Sequence, residues 1–194
     1  MAEKNAIKNA GTHLNQKTRQ NVLFGMMTHA QNILFKIKTM EEKKQIYVIG
    51  SLRNKKIPHI AKELRKLNVN VFDDWFSPGP EADDFWRKYE KVRGSSYKQA
   101  LRNWAGKHVF EFDKQHIDES DIGVLVMPAG KSGHLELGYM IGNKKPCIIY
   151  FEEEPEDDRW DVMVQFAFEN GGDVCFGKDD LIKSIKRILE IKNE

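Results

Sequence analysis

The groups in this chain whose placement suits chemistry are carboxylates. Glu136 stands in the stretch Pro128-Ala129-Gly130-Lys131-Ser132-Gly133-His134-Leu135-Glu136-Leu137-Gly138-Tyr139, and Asp113 lies eight residues before Asp121. His59, His108, His116 and His134 do not fall at a metal-ligand spacing, and no Ser or Cys occupies a nucleophile elbow. The segment Gly50-Ser51-Leu52-Arg53-Asn54 adds a hydroxyl, a guanidinium and free backbone N–H groups directly after an apolar run. That set suits a phosphate, because Arg offers a planar, bidentate donor. There is no P-loop lysine pattern and no G-x-G-x-x-G, so a nucleoside-triphosphatase and a dinucleotide site are both unsupported. Taken singly, each group has an ordinary reading as well. Glu136 reads as a surface carboxylate complementing a helix dipole, Asp113 as a solvated helix residue, and residues 51–54 as a polar strand end.

What positions these groups is an alternation of strands and helices. Ile46–Gly50, Val69–Phe72, Ile122–Met127, Pro146–Phe151 and Val174–Phe176 are apolar, β-branched runs of strand type. Residues 58–67 place Ile60, Ala61, Leu64 and Leu67 on one helical face, with Asn68 as the stop. A helix follows the loop at Pro128 and carries Glu136 in its first turn; Trp160–Phe168 and Asp179–Ile191 are further helices. The Pro/Gly density of residues 73–80 makes a loop. The charged, aromatic segment 81–119 reads as two helical pieces divided at Gly94-Ser95-Ser96. Its rings either pack into the core or close a site. This pattern predicts an α/β fold of flavodoxin/Rossmann type. It has a five-stranded parallel sheet in the order 2-1-3-4-5, helices on both faces, and a helical insertion after strand 2. The order brings the loops 50–54, 73–80 and 128–136 to one sheet edge.

Composition narrows the class. The chain is 40% hydrophobic and 31% charged with a net charge of +2, which describes a globular body. Residues 1–40 carry +5 and the remainder −3, so the body has no basic face for a nucleic-acid polymer. The expected organisation is an extension over residues 1–44, partly mobile and with an amphipathic helix in its second half, followed by one domain over 45–194. Cys147 and Cys175 lie in apolar strands, which fits buried thiols of a reducing compartment. No apolar run reaches the length of a membrane span, and the start has no secretory h-region, so a cytoplasmic protein is expected.

Three features together resemble the nucleoside 2-deoxyribosyltransferase superfamily: strand–Gly-Ser-Leu-Arg over Ile46–Arg53, the Asp113–Asp121 spacing, and Gly130-x-Ser132-Gly133-x-x-Glu136-Leu137-Gly138-Tyr139. The resemblance covers about residues 45–176 and leaves out residues 1–44; the segment 81–110 is longer than in the smallest members. It implies that Glu136 is the nucleophile at an anomeric carbon and that Asp113 assists by holding Glu136 or a sugar hydroxyl. It further implies that Met163 packs near the sugar, and that Tyr47, Asp74 and Trp75 line the base pocket. Transferases of the superfamily carry an Asp six residues before the nucleophile, where this chain has Gly130. The branch that hydrolyses nucleoside 5′-monophosphates has small or hydroxyl residues there and Gly-Ser-x-Arg after the first strand. The resemblance therefore favours hydrolysis of a nucleotide, with Ser51, Arg53, Gly130 and Ser132 as the phosphate shell and Gly50 and Gly133 as further substrate-binding residues. Base exchange and a non-catalytic nucleotide-sensing module are the alternatives. It implies no metal, no cofactor, a small nucleoside or nucleotide as partner, no membrane, and a homo-oligomer.

Overall fold

A computed structural model describes residues 43–156 and 160–191. The helix expected in the N-terminal extension, and part of the acidic run 152–158, lie outside them. The strands are β1 (Gln45–Ile49), β2 (Asn70–Phe72), β3 (Ile122–Val126), β4 (Cys147–Phe151) and β5 (Asp173–Phe176). All pair in parallel in the order β2-β1-β3-β4-β5, which is the predicted doubly wound α/β topology. The helices are α1 (Ile57–Arg65), α2 (Ala82–Val92), α3 (Tyr97–Ala100), α4 (Trp104–Glu119), α5 (Lys131–Gly142) and α6 (Lys178–Ile191). Short 3-10 turns occupy Asp74–Phe76 and Val162–Gly171. No helix among the described residues is long and apolar enough to cross a membrane.

The period-2 alternation of the central strands divides the core into two layers. Ile46, Val48, Val124, Val126 and Ile148 pack with Ile57, Leu64, Leu181 and Ile185 under α1 and α6. Tyr47, Ile49, Leu125 and Ile149 face the other way and pack with Phe72, Ile117, Leu137, Met140 and Ala167 under α4, α5 and the second 3-10 segment. Tyr47 therefore points to the α4/α5 side by strand parity alone.

Local chemistry sets the element ends. Pro58 sits in the first turn of α1, where a missing N–H costs nothing, and the chain turns at Asn68 with φ 59°. A capping box starts α3: Ser96 Oγ accepts from the Gln99 N–H at 3.3 Å, and Gln99 Oε1 accepts from the Ser96 N–H at 2.8 Å. The segment after β2 differs from expectation in two respects. It forms three helices, and the last of them, α4, is the crossover that a β2-to-β3 parallel connection requires, so only α2 and α3 are additional. Its rings also do not fill the core. Phe85, Tyr89, Tyr97, Trp104 and Phe110 are each more than half exposed, while Phe112 reaches the buried Phe72 with ring centroids 5.7 Å apart.

Candidate active site

Glu136 lies one turn further along its helix than the apolar spacing predicts. The first helical residue of α5 is Lys131, with Gly130 as the N-cap, so Glu136 lies in the second turn. The helix-dipole reading loses its basis there, since that effect falls off beyond the first turn. The side chain is instead half-buried on the flank of α5 that faces β1 and α4. Burial first, and then the charge of Asp113, pushes the Glu136 carboxyl up to about 7.

Asp113 comes from the middle of α4. It is half-buried as well, and its Oδ1 has no hydrogen-bond partner. Burial raises its carboxyl to about 6, with His116 pulling the other way. His116 is held flat against Phe72, ring centroids 3.8 Å apart, so its position relative to Asp113 is fixed by packing. Tyr47 completes the group. It is buried on β1 and stacked on Phe72 at 5.2 Å, and its phenol is raised by burial and then by Glu136 and Asp113. Tyr47 thus feels both carboxylates and Glu136 feels Asp113, and Tyr47 keeps its proton and can donate it in a hydrogen bond. Two carboxylates and a phenol drawn from three elements form one partly dry cluster. Among the described residues, no group of three or more His, Cys, Asp or Glu is arranged to hold a metal ion.

The loops around this cluster are tied together by Asn54, which no sequence motif marks. Asn54 is buried, and its Nδ2 donates to the carbonyls of Val126 and Pro128, both at 3.3 Å. Its Oδ1 accepts from the Lys56 N–H at 3.1 Å. It therefore fixes the loop after β1 against the loop after β3, the two that flank the site. Nothing in a lone Asn at a strand end signals this, because the carbonyls it satisfies are seventy-odd residues away.

Two of the expected glycines have steric reasons to be glycine. A Cβ on Gly50 would lie 2.4 Å from Ile57 Cδ1 and 3.7 Å from the Trp75 ring. One on Gly133 would lie 3.1 Å from Leu125 Cδ1 and 3.2 Å from Ile49 Cγ2, so Gly133 lets α5 approach the sheet closely. Trp75 is half-buried and donates its Nε1–H to the Val48 carbonyl at 2.7 Å, which holds the ring at the end of β1. Asp74 beside it is exposed. Ser51 Oγ accepts from the Arg53 N–H at 3.2 Å, and Gly130 and Ser132 are exposed at the start of α5.

Two residues differ from expectation. Arg53 does not present an empty fork: Nη1 donates to Asp83 Oδ2 at 3.2 Å and Nη2 to Asp84 Oδ2 at 3.1 Å, both at the start of α2. Acids in a first helical turn read as dipole partners, which is why the sequence did not single them out. Met163 lies in a groove of about 620 Å³ on the β4/β5 side of α5, lined also by His134, Leu137, Ile141, Phe151 and Phe176. Neither Tyr47, Asp113 nor Glu136 lines that groove.

No protein-family model matches the chain, and no curated protein matches it. Among solved structures it is similar to the 2-deoxyribosyltransferase of the psychrotolerant bacterium Bacillus psychrosaccharolyticus, with 19% sequence identity and a TM-score of 0.40, over 63% of this chain and 81% of that one.

Proposed function

We propose that this chain cleaves the N-glycosidic bond of a nucleoside or nucleoside 5′-monophosphate by hydrolysis, with Glu136 as nucleophile. The observation that carries the reading is the coupled cluster of Glu136, Asp113 and Tyr47, which holds two carboxylates with raised pKa values on the sheet's α4/α5 face. The sequence resemblance supplies the reaction class.

A Glu136 oxygen attacks the anomeric carbon, the C–N bond breaks, and its electron pair leaves with the base, which takes a proton from solvent. Water then attacks the same carbon and gives up a proton to solvent, which releases Glu136 as a carboxylate and the sugar as its hemiacetal. Attack requires ionised Glu136, so the rate rises with pH through about 7. Asp113, with its lower value of about 6, is already charged in that range. Two adjacent anions raise each other's energy in the resting site and are relieved when positive charge develops on the sugar ring, which favours the transition state over the ground state. Asp113 also accepts a sugar hydroxyl, and Tyr47 donates to a carboxylate or to the sugar. Trp75 and Asp74 flank the base. Gly50, Ser51, Arg53, Gly130, Ser132 and Gly133 surround a 5′-phosphate, aided by the unpartnered N–H groups of a first helical turn. Gly130 stands where a base-exchanging relative would hold the base with an acid, which favours water as the acceptor.

The test is a chromatographic screen of nucleosides and their 5′-monophosphates for free base, with the Glu136→Gln variant run beside the wild type. Base release by the wild type that is absent in the variant, with circular dichroism unchanged, is the expected result. Tight nucleotide binding with no base released by the wild type on long incubation contradicts the proposal. So does turnover by Glu136→Gln at the wild-type rate.

A further inference from the structure

The geometry points to Asp83 and Asp84 as the residues that set how strongly this site prefers a 5′-phosphorylated substrate over an unphosphorylated one, by competing with the phosphate for Arg53. This inference rests on the proposed function for its ligand.

Arg53 leaves the C-terminal end of β1 in the loop that reaches the site, yet both ends of its fork are held by α2. A guanidinium engaged by two carboxylates has little remaining affinity for an anion, so a phosphate must take the place of at least one of them. The construction makes that exchange easy. Arg53 and Asp83 are each more than half exposed and Asp84 somewhat less, so water weakens both pairs. Asp84 moreover has a second partner: its Oδ1 accepts from Arg87 Nη2 at 2.9 Å, one turn along the same helix. When Arg53 turns towards a ligand, Asp84 keeps Arg87, and Asp83 passes to solvent.

The remaining surroundings fit a clamp rather than a simple surface pair. Arg53, Asp83, Asp84 and Arg87 line one cavity of about 480 Å³, together with Lys91 and Tyr97. The added helix α2 thus brings two carboxylates to the one guanidinium of the β1 loop, and holds Arg87 in reserve as the partner Asp84 keeps once Arg53 lets go. An unphosphorylated nucleoside leaves the clamp shut and binds at full strength. A nucleotide must open it, so its advantage over the nucleoside is smaller than a free Arg would give.

The experiment measures dissociation constants of deoxyadenosine and deoxyadenosine 5′-monophosphate by calorimetry on the full chain carrying Glu136→Gln, so that no turnover is needed. The pair is compared in that background, in Asp83→Asn/Asp84→Asn, in Arg53→Ala, and in the combined variant. The expected result is that neutralising both acids raises the nucleotide-to-nucleoside affinity ratio roughly tenfold, and that this gain disappears when Arg53 is Ala. An unchanged ratio overturns the inference. So does a gain that persists without Arg53, since that marks general electrostatics and not competition for one guanidinium. Circular dichroism verifies that each variant is folded. Failure of base release by the wild type sinks the proposed function and leaves these binding ratios readable.

Discussion

The two flanks of α5 are built from opposite materials. Towards β1 and α4, Glu136 meets Asp113 and Tyr47, all titratable and all partly removed from water. Towards β4 and β5, Leu137, Ile141, Ile149, Phe151 and Phe176 line an apolar groove with His134, Glu154 and Asp161 as its polar members. The first arrangement is costly to fold. Each carboxyl is harder to ionise inside the protein than outside it, so the folded state is penalised whenever both are charged. The second costs nothing of that kind and exposes greasy surface instead. Perturbed carboxylates cluster at functional sites, and this contrast is why the proposed chemistry is assigned to the β1 flank.

Breaking the first flank has the largest expected effect. Glu136→Gln is expected to lower kcat at least about a thousandfold, since it removes the proposed nucleophile and leaves binding in place. Asp113→Asn costs less, on the order of 10- to 100-fold, and carries a sign that distinguishes it. Removing the Asp113 charge takes away the second cause of the raised Glu136 carboxyl, so the rising limb of the pH–rate profile moves below about 7. The move is partial, because burial is the first cause and remains. A profile that stays in place contradicts the coupling.

Stability gives an independent reading of the same flank. Folded Glu136 holds its proton up to about 7, whereas an unfolded Glu releases it near 4.5, so the folded state loses stability as pH rises between those values. Glu136→Gln removes that loss. Chemical denaturation should find the variant no different from wild type below pH about 4.5 and more stable above about 7, by at most about 3 kcal/mol. A variant equally stable at every pH places Glu136 in water. On the opposite flank, Met163→Ala is expected to change kcat/KM by less than about 3-fold, because Met163 lines the apolar groove and not the carboxylate cluster. A loss of 100-fold or more would return Met163 to the site and erase the contrast between the flanks.

How far the sequence reached follows from which interactions are local. The strand runs and their order were legible, since apolar β-branched runs and parallel crossovers leave few topologies. Glu136 was legible as a residue and misplaced by one turn, because Gly130 starts the helix earlier than the apolar spacing of Leu137, Met140 and Ile141 indicates. Asn54 and the Asp83–Asp84 hold on Arg53 were not legible. Their partners are distant in sequence, and a polar residue beside a strand looks the same whether it faces water or a buried carbonyl. The exposed rings of α2 and α4 bear on an alternative that the sequence left open: of packing into the core or closing a site, core packing receives few of them, since most lie on solvent-facing helix sides.

The proposed function turns on whether Glu136 attacks carbon. Rapid acid quench during turnover, followed by proteolysis and mass mapping, tests it most directly. The expected result is a sugar mass on the peptide containing Glu136, present in Asp113→Asn and absent in Glu136→Gln. Continued base release with no adduct at any time, or an adduct on a peptide without Glu136, would contradict it.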